Sequence, residues 1–104
     1  MSELDRVRRE LESALALEPG NALAWSNLSY VALRGGDPAT ALDAAERACA
    51  LAPTMAGAWI NRSAALLVAG DARGSLADAR RAEACDPASA TALVSIGAAA
   101  RELG

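Results

Sequence analysis

The side chains that carry most biological catalysis are scarce in this sequence. It contains no histidine and no lysine, and all ten basic residues are arginine. No glycine-rich phosphate loop follows a strand-like run. The thirteen acidic residues fall at helix caps and on outward faces rather than in facing pairs. Cys49 and Cys85 stand far apart, without a Cys-x-x-Cys spacing, so they suit neither a zinc site nor a disulfide framework. Two small half-buried thiols are expected, with a reactive or bridged pair as the alternative. The chemistry therefore points away from an enzyme and implies no cofactor and no metal. What remains are groups that bind. Asn27 and Asn61 carry amides that both donate and accept, which is what an extended backbone requires of a partner. Arg62 lies in an apolar stretch, 56–69, that contains no acid at all. It either snorkels out to an acid such as Asp43 or Asp78 or meets an acidic ligand, because a guanidinium left unpaired in an interior is costly.

The elements that must position these groups are helices. Hydrophobic residues make up 53 % of the 104 positions but aromatics only 3 %, and alanine supplies about a quarter of the chain. Alanine forms helix best because it loses no side-chain entropy, while strand formers are few and scattered. The net charge is −3, with arginine and acid interspersed, so no basic stripe could follow a phosphate backbone, and nucleic acid is not an expected partner. No apolar run reaches the roughly 20 residues that a membrane span needs. The charged opening Met-Ser-Glu-Leu-Asp does not read as a signal peptide, so a cytoplasmic location is expected.

A period of 34 residues organises the chain. Trp25 and Trp59 are separated by it, as are Pro19, Pro53 and Pro87 in succession. Asn27 and Asn61, Gly36 and Gly70, Asp37 and Asp71, Leu42 and Leu76, and Ala48 and Ala82 keep the same step. Each unit reads as a helix A, a Gly-Asp turn, a helix B and a Pro-containing turn. The first A helix is predicted over 22–34, stopped by Gly35-Gly36, with Asp37 capping the next helix and Pro38 in its first position. The second unit repeats this over 56–69 and 72–85. Ser2 followed by Asp5 opens a B-type helix through Leu17, and 90–103 is in A phase. The expected domain is a single unit, 1–104, made of a half repeat 1–21, repeats 22–55 and 56–89, and a half repeat 90–104.

This pattern resembles the tetratricopeptide repeat, whose signature runs Trp-x2-Leu-Gly-x2-Tyr, then Ala-x3-Phe, then Pro. Trp25, Leu28, Ala41 and Pro53 match in one unit, Trp59 and Pro87 in the next, and Ile96-Gly97 in the last. The resemblance implies an all-α, right-handed superhelical array of antiparallel helix pairs, about six helices, with the tryptophans packed between them. It also implies a protein-interaction module whose A helices form a concave wall for a peptide or helix of a partner protein. The wall would present Leu23, Ser26, Asn27, Tyr30, Leu33 and Arg34, then Ile60, Asn61, Ala64, Leu67 and Val68, then Thr91, Val94, Ser95, Ala98 and Arg101. The alternative for the Asn pair is a bond to a neighbouring helix. The set of residues by which some family members clamp a terminal carboxylate is incomplete here: Asn61 matches one of its places, but Ser26, Tyr30, Thr91 and Ser95 occupy others.

The chain also departs from the signature. Ala32 and Leu66 replace its Tyr, Ala45 and Ala79 its Phe, Ser29 and Ser63 its Gly, and Arg62 its Leu. These changes either draw the helices together or thin the core. The last helix, 90–103, holds its only charges at Arg101 and Glu102. A terminal helix this apolar predicts self-association as a homodimer, or further repeats in a longer chain. The alternative functions are therefore a structural repeat that stacks through this helix, or the repeat portion of a larger multidomain protein.

Overall fold

A computed structural model describes residues 2–104. The chain forms α1 (Glu3–Leu17), α2 (Ala22–Arg34), α3 (Pro38–Leu51), α4 (Ala56–Val68), α5 (Ala72–Cys85) and α6 (Ala90–Leu103), with no strand among the described residues. The helix starts follow their caps. Oxygens of Ser2, Asn21, Asp37, Asp71 and Ser89 accept from the backbone N–H three residues on. Only α4 begins without a side-chain cap, at Met55. Its end falls at Val68, one residue short of the sequence expectation, with Ala69 as the capping residue.

The turns after α2 and α4 are built alike. Gly36 and Gly70 adopt φ of 83° and 89°, in the left-handed region, and their N–H groups donate to Leu33 O and Leu67 O. The following Asp37 and Asp71 N–H groups reach back to Ala32 O and Leu66 O, closing a Schellman motif in each unit. Gly35 has an ordinary negative φ and Ala69 stands in its place in the second unit, so one glycine per turn is enough.

Two layers result. Helices α2, α4 and α6 pack against one another in succession, whereas the backbones of α1, α3 and α5 approach only the helices of the first layer, and side chains such as Arg8, which reaches Thr40, link them to each other. The molecule is elongated, 40 × 27 × 19 Å. Alanine sets the spacing between layers: Ala41, Ala45, Ala48, Ala58, Ala65, Ala79, Ala82, Ala92 and Ala99 are completely buried. The small residues at the signature's bulky positions thus draw the helices together, and no pocket opens among the described residues. Ser29 and Ser63 use this closeness. Their hydroxyls donate across the layers to Ala41 O at 2.7 Å and Ser75 O at 2.8 Å, where the signature's glycine could offer nothing.

Candidate functional site

The tryptophans face the space between helices. Each indole Nε1 donates to a proline carbonyl six residues earlier, Trp25 to Pro19 at 2.8 Å and Trp59 to Pro53 at 2.7 Å. A guanidinium from the following B helix lies over each ring, Arg47 on Trp25 and Arg81 on Trp59, both 4.9 Å from the centroid. The sequence displayed this pair of arginines at the same step of 34, but their contact became visible only in three dimensions. These rings join each turn to its helix pair and are not available to a ligand.

The face of α2, α4 and α6 that turns away from the B helices is the candidate wall. Leu23, Tyr30, Val68 and Val94 are exposed there, as are Asn27, Arg34, Thr91 and Arg101, while Ile60, Ala64, Leu67, Ser95 and Ala98 are half-buried. Arg34 Nη1 donates to Tyr30 Oη at 3.2 Å, and its guanidinium lies 5.4 Å from the ring centroid, so the two present one joint surface. Ser95 does not reach across, since its hydroxyl donates to Thr91 O of its own helix. Ser26, expected on the wall, is buried.

The two asparagines part company. Asn27 is exposed, and its amide has no partner among the described residues. Asn61 is half-buried, and its Nδ2 donates to both Ser26 O and Ser26 Oγ at 2.9 Å, tying α4 to α2. Only its carbonyl oxygen is left to meet a ligand. The difference follows from position: Asn61 has an A helix before it to bond, and Asn27 does not.

Charge is divided between the layers. Helices α2, α4 and α6 carry Arg34, Arg62 and Arg101 against a single acid, Glu102, and every other acidic residue lies in the B helices or turns. Arg62 sits on the Trp59 side of α4, away from Ile60, Ala64 and Val68, so it cannot meet a ligand on the wall. Its Nε lies 3.4 Å from Asp78 Oδ2, which settles its partner, because Asp43 pairs with Arg47 instead. Neither Arg62 Nε nor Asp78 Oδ2 makes a hydrogen bond, so the contact is an ion pair of poor alignment. Burial pushes the Asp78 carboxyl above its ordinary range, with Arg62 and Arg81 pulling against it.

The cysteines are separate thiols. Cys49 is buried and Cys85 exposed. Burial pushes the Cys49 thiol up to about 11, which leaves it inert at neutral pH. No Cα pair between α3 and α5 comes within 8 Å, beyond the roughly 7 Å limit of a disulfide, so the bridged alternative does not hold.

In sequence the chain matches no protein-family model and no curated protein. In structure it resembles the first tetratricopeptide-repeat domain of Spaghetti (RPAP3) bound to the HSP90 peptide SRMEEVD, with a TM-score of 0.92 and 19 % identity over 97 % of this chain and 80 % of that one. The Arabidopsis OM64 tetratricopeptide-repeat domain gives 0.91 and 19 % over 95 % and 82 %. MamA gives 0.89 and 22 %, and this chain spans 55 % of it. The two-layer array, its turn glycines and its interhelical tryptophans thus form the fold of a tetratricopeptide-repeat domain.

Proposed function

We propose that the chain is a protein-interaction module that holds a peptide, or one helix, of a partner protein on the wall formed by α2, α4 and α6. The observation that carries this reading is the coincidence of exposed Leu23, Tyr30, Val68 and Val94 on a face whose helices hold a single acid. Isolated exposed apolar residues need no explanation, but several gathered on one face mark an interaction site. No pocket opens among the described residues, which suits an extended or helical ligand better than a small molecule. RPAP3, which shares this fold, is bound to an HSP90 peptide. Asn27, Tyr30, Leu23, Arg34, Ile60, Ala64, Val94 and Arg101 form the contact surface, and Asn61 contributes through its free carbonyl oxygen. No catalytic step, nucleic acid or bilayer enters the reading, and the chain acts as one unit in the cytosol.

The test uses photo-crosslinking residues placed at Tyr30 and Val94, with Arg9 on the opposite layer as control. A partner captured from source lysate at the wall positions alone is then tiled as peptides and titrated. Leu23→Ser with Val94→Ser should weaken the best peptide at least about tenfold, equivalent to roughly 1.4 kcal/mol. Equal capture at Arg9, or an unchanged dissociation constant, moves the site off this wall.

A second reading rests on α6. Leu93 and Leu103 are 53 % and 43 % exposed on sides of the helix that the wall does not use. They suit self-association or contact with further repeats. Sedimentation over a range of concentrations should show a dimer that Leu93→Glu with Leu103→Glu dissolves, and a monomer at every concentration would refute self-association.

A further inference from the structure

The two full units are near copies where A meets B. Trp25 and Trp59, Ser29 and Ser63, Ala45 and Ala79, Arg47 and Arg81, and Ala48 and Ala82 occupy matching places. Copies of this kind invite pairing errors, in which a B helix docks on the wrong A helix. Exchange between molecules is the usual outcome in repeat proteins.

One junction differs in kind. Between α1, α2 and α3 the filling is apolar: Leu15, Leu28 and Ala44 are buried together, with Leu11 against them. At the matching place between α3, α4 and α5, a step of 34 later, stand Cys49, Arg62, Asp78 and Ala45. Leucines 11 and 15 have shrunk to Ala45 and Cys49, which leaves room for the longer Arg62 and its carboxylate partner at 3.4 Å. The pair is poorly aligned, and neither facing atom makes a hydrogen bond. It is a weak source of stability at a site where the same fold supplies an apolar solution one unit earlier.

We propose that the Arg62–Asp78 pair is a register key that restricts α5 to α4 and excludes pairing offset by one repeat. If α5 of a second copy docked on α2, the Asp78 carboxylate would lie among Leu11, Leu15 and Leu28 with no arginine facing it from the A helix, only Arg81 of its own helix. The complementary error sets α3 against α4 in the role of α5, leaving Arg62 against Ala44 with no acid. Each error strands one charge without its opposite, and each stranded charge disfavours the wrong assembly on the order of a hundredfold. A junction apolar in both units would carry no such penalty.

Two differently tagged copies of the chain are unfolded together, refolded at high concentration and captured through one tag. Wild type should bring down none of the second tag beyond what mixing after refolding gives. Arg62→Leu with Asp78→Ala, which writes Leu28 and Ala44 of the first unit into the second, should bring it down strongly while melting close to wild type. Arg62→Met with Asp78→Leu provides a second apolar junction of different volume should the first fail to fold. Folded apolar variants that exchange no more than wild type overturn the proposal. So does exchange that appears only together with lost stability, which would make the pair merely structural.

Discussion

Replacing each tryptophan in turn tests whether burial, rather than mere repetition, sets its contribution. Trp59 is only 8 % exposed, packed with Ala48, Cys49, Ala58, Ala82 and Ala92 and covered by Arg81. Trp25 is half-buried, and its bond to Pro19 is exposed. Emptying a buried large aromatic site costs about 3–5 kcal/mol, and alanine-lined walls have little side chain with which to close the gap. Trp59→Ala should therefore lie near the top of that range, about 4–5 kcal/mol, and Trp25→Ala about 2–3 kcal/mol. Trp59→Phe keeps most of the ring and removes the indole donor to Pro53, so about 1–2 kcal/mol should go with it. Urea melts followed by far-ultraviolet circular dichroism measure all three, with the slopes compared to confirm that one transition is being read. Since a chain of this size has about 5–15 kcal/mol in total, Trp59→Ala can abolish the native baseline. Trp59→Phe then carries the comparison. Equal costs for the two alanine variants, or a Trp59→Ala cost below about 1 kcal/mol, would refute the assignment of Trp59 to the tighter site.

Three other outcomes follow from particular contacts. Arg62→Leu alone leaves Asp78 buried with no guanidinium facing it and should cost about 3–5 kcal/mol, whereas Arg62→Leu with Asp78→Ala should return close to wild-type stability in the same melts. Asn61→Ala should lose about 1 kcal/mol through its link to Ser26, while Asn27→Ala should stay within about 0.5 kcal/mol of wild type, so equal melting points would contradict the geometry. Acid titration should separate two carboxylates. The hydroxyl and then the amide N–H of Thr40, with Arg8 at 3.1 Å, hold the Asp37 carboxyl below its ordinary value of 3.8, so its contribution is complete above that pH and is lost as the pH falls through the lowered value. Asp78 is raised by burial and acts in the opposite sense, favouring the fold once protonated. Asp37→Asn should therefore flatten the loss of stability in acid and Asp78→Asn should steepen it, as read from melting points between pH 2 and 6.

The part of this fold legible in the sequence is the part written in local chemistry. Prolines at a fixed step, Asp37 ahead of Pro38, and glycines at Gly36 and Gly70 each act within a few residues of themselves, so helix limits and phase could be read directly. Whether small residues at bulky positions close the helices or thin the core depends on whether the backbones can approach. The serine hydroxyls that reach across to Ala41 O and Ser75 O show that they do. Asn27 and Asn61 are indistinguishable in a sequence repeat, yet one is free and the other braces two helices, because only the second has an A helix before it.

Arg62 shows where such reading stops. Its isolation on an acid-free helix was visible in the sequence, and Asp78 was one of two acids that could answer it. Choosing between them required knowing that Asp78 of α5 is the acid brought to its side, and that Arg47 already holds Asp43 at 3.2 Å. A repeat makes this kind of question harder, because every contact available to one unit is offered by the other as well. The departures from the period therefore say most about this chain. Where the two units agree, the residues serve the fold common to both; at Leu28 and Arg62, or Ala44 and Asp78, the fold alone asks for no change. A charge placed where the neighbouring unit does without one calls for a reason outside packing energy, and keeping nearly identical helices in order is a reason that the contacts supply.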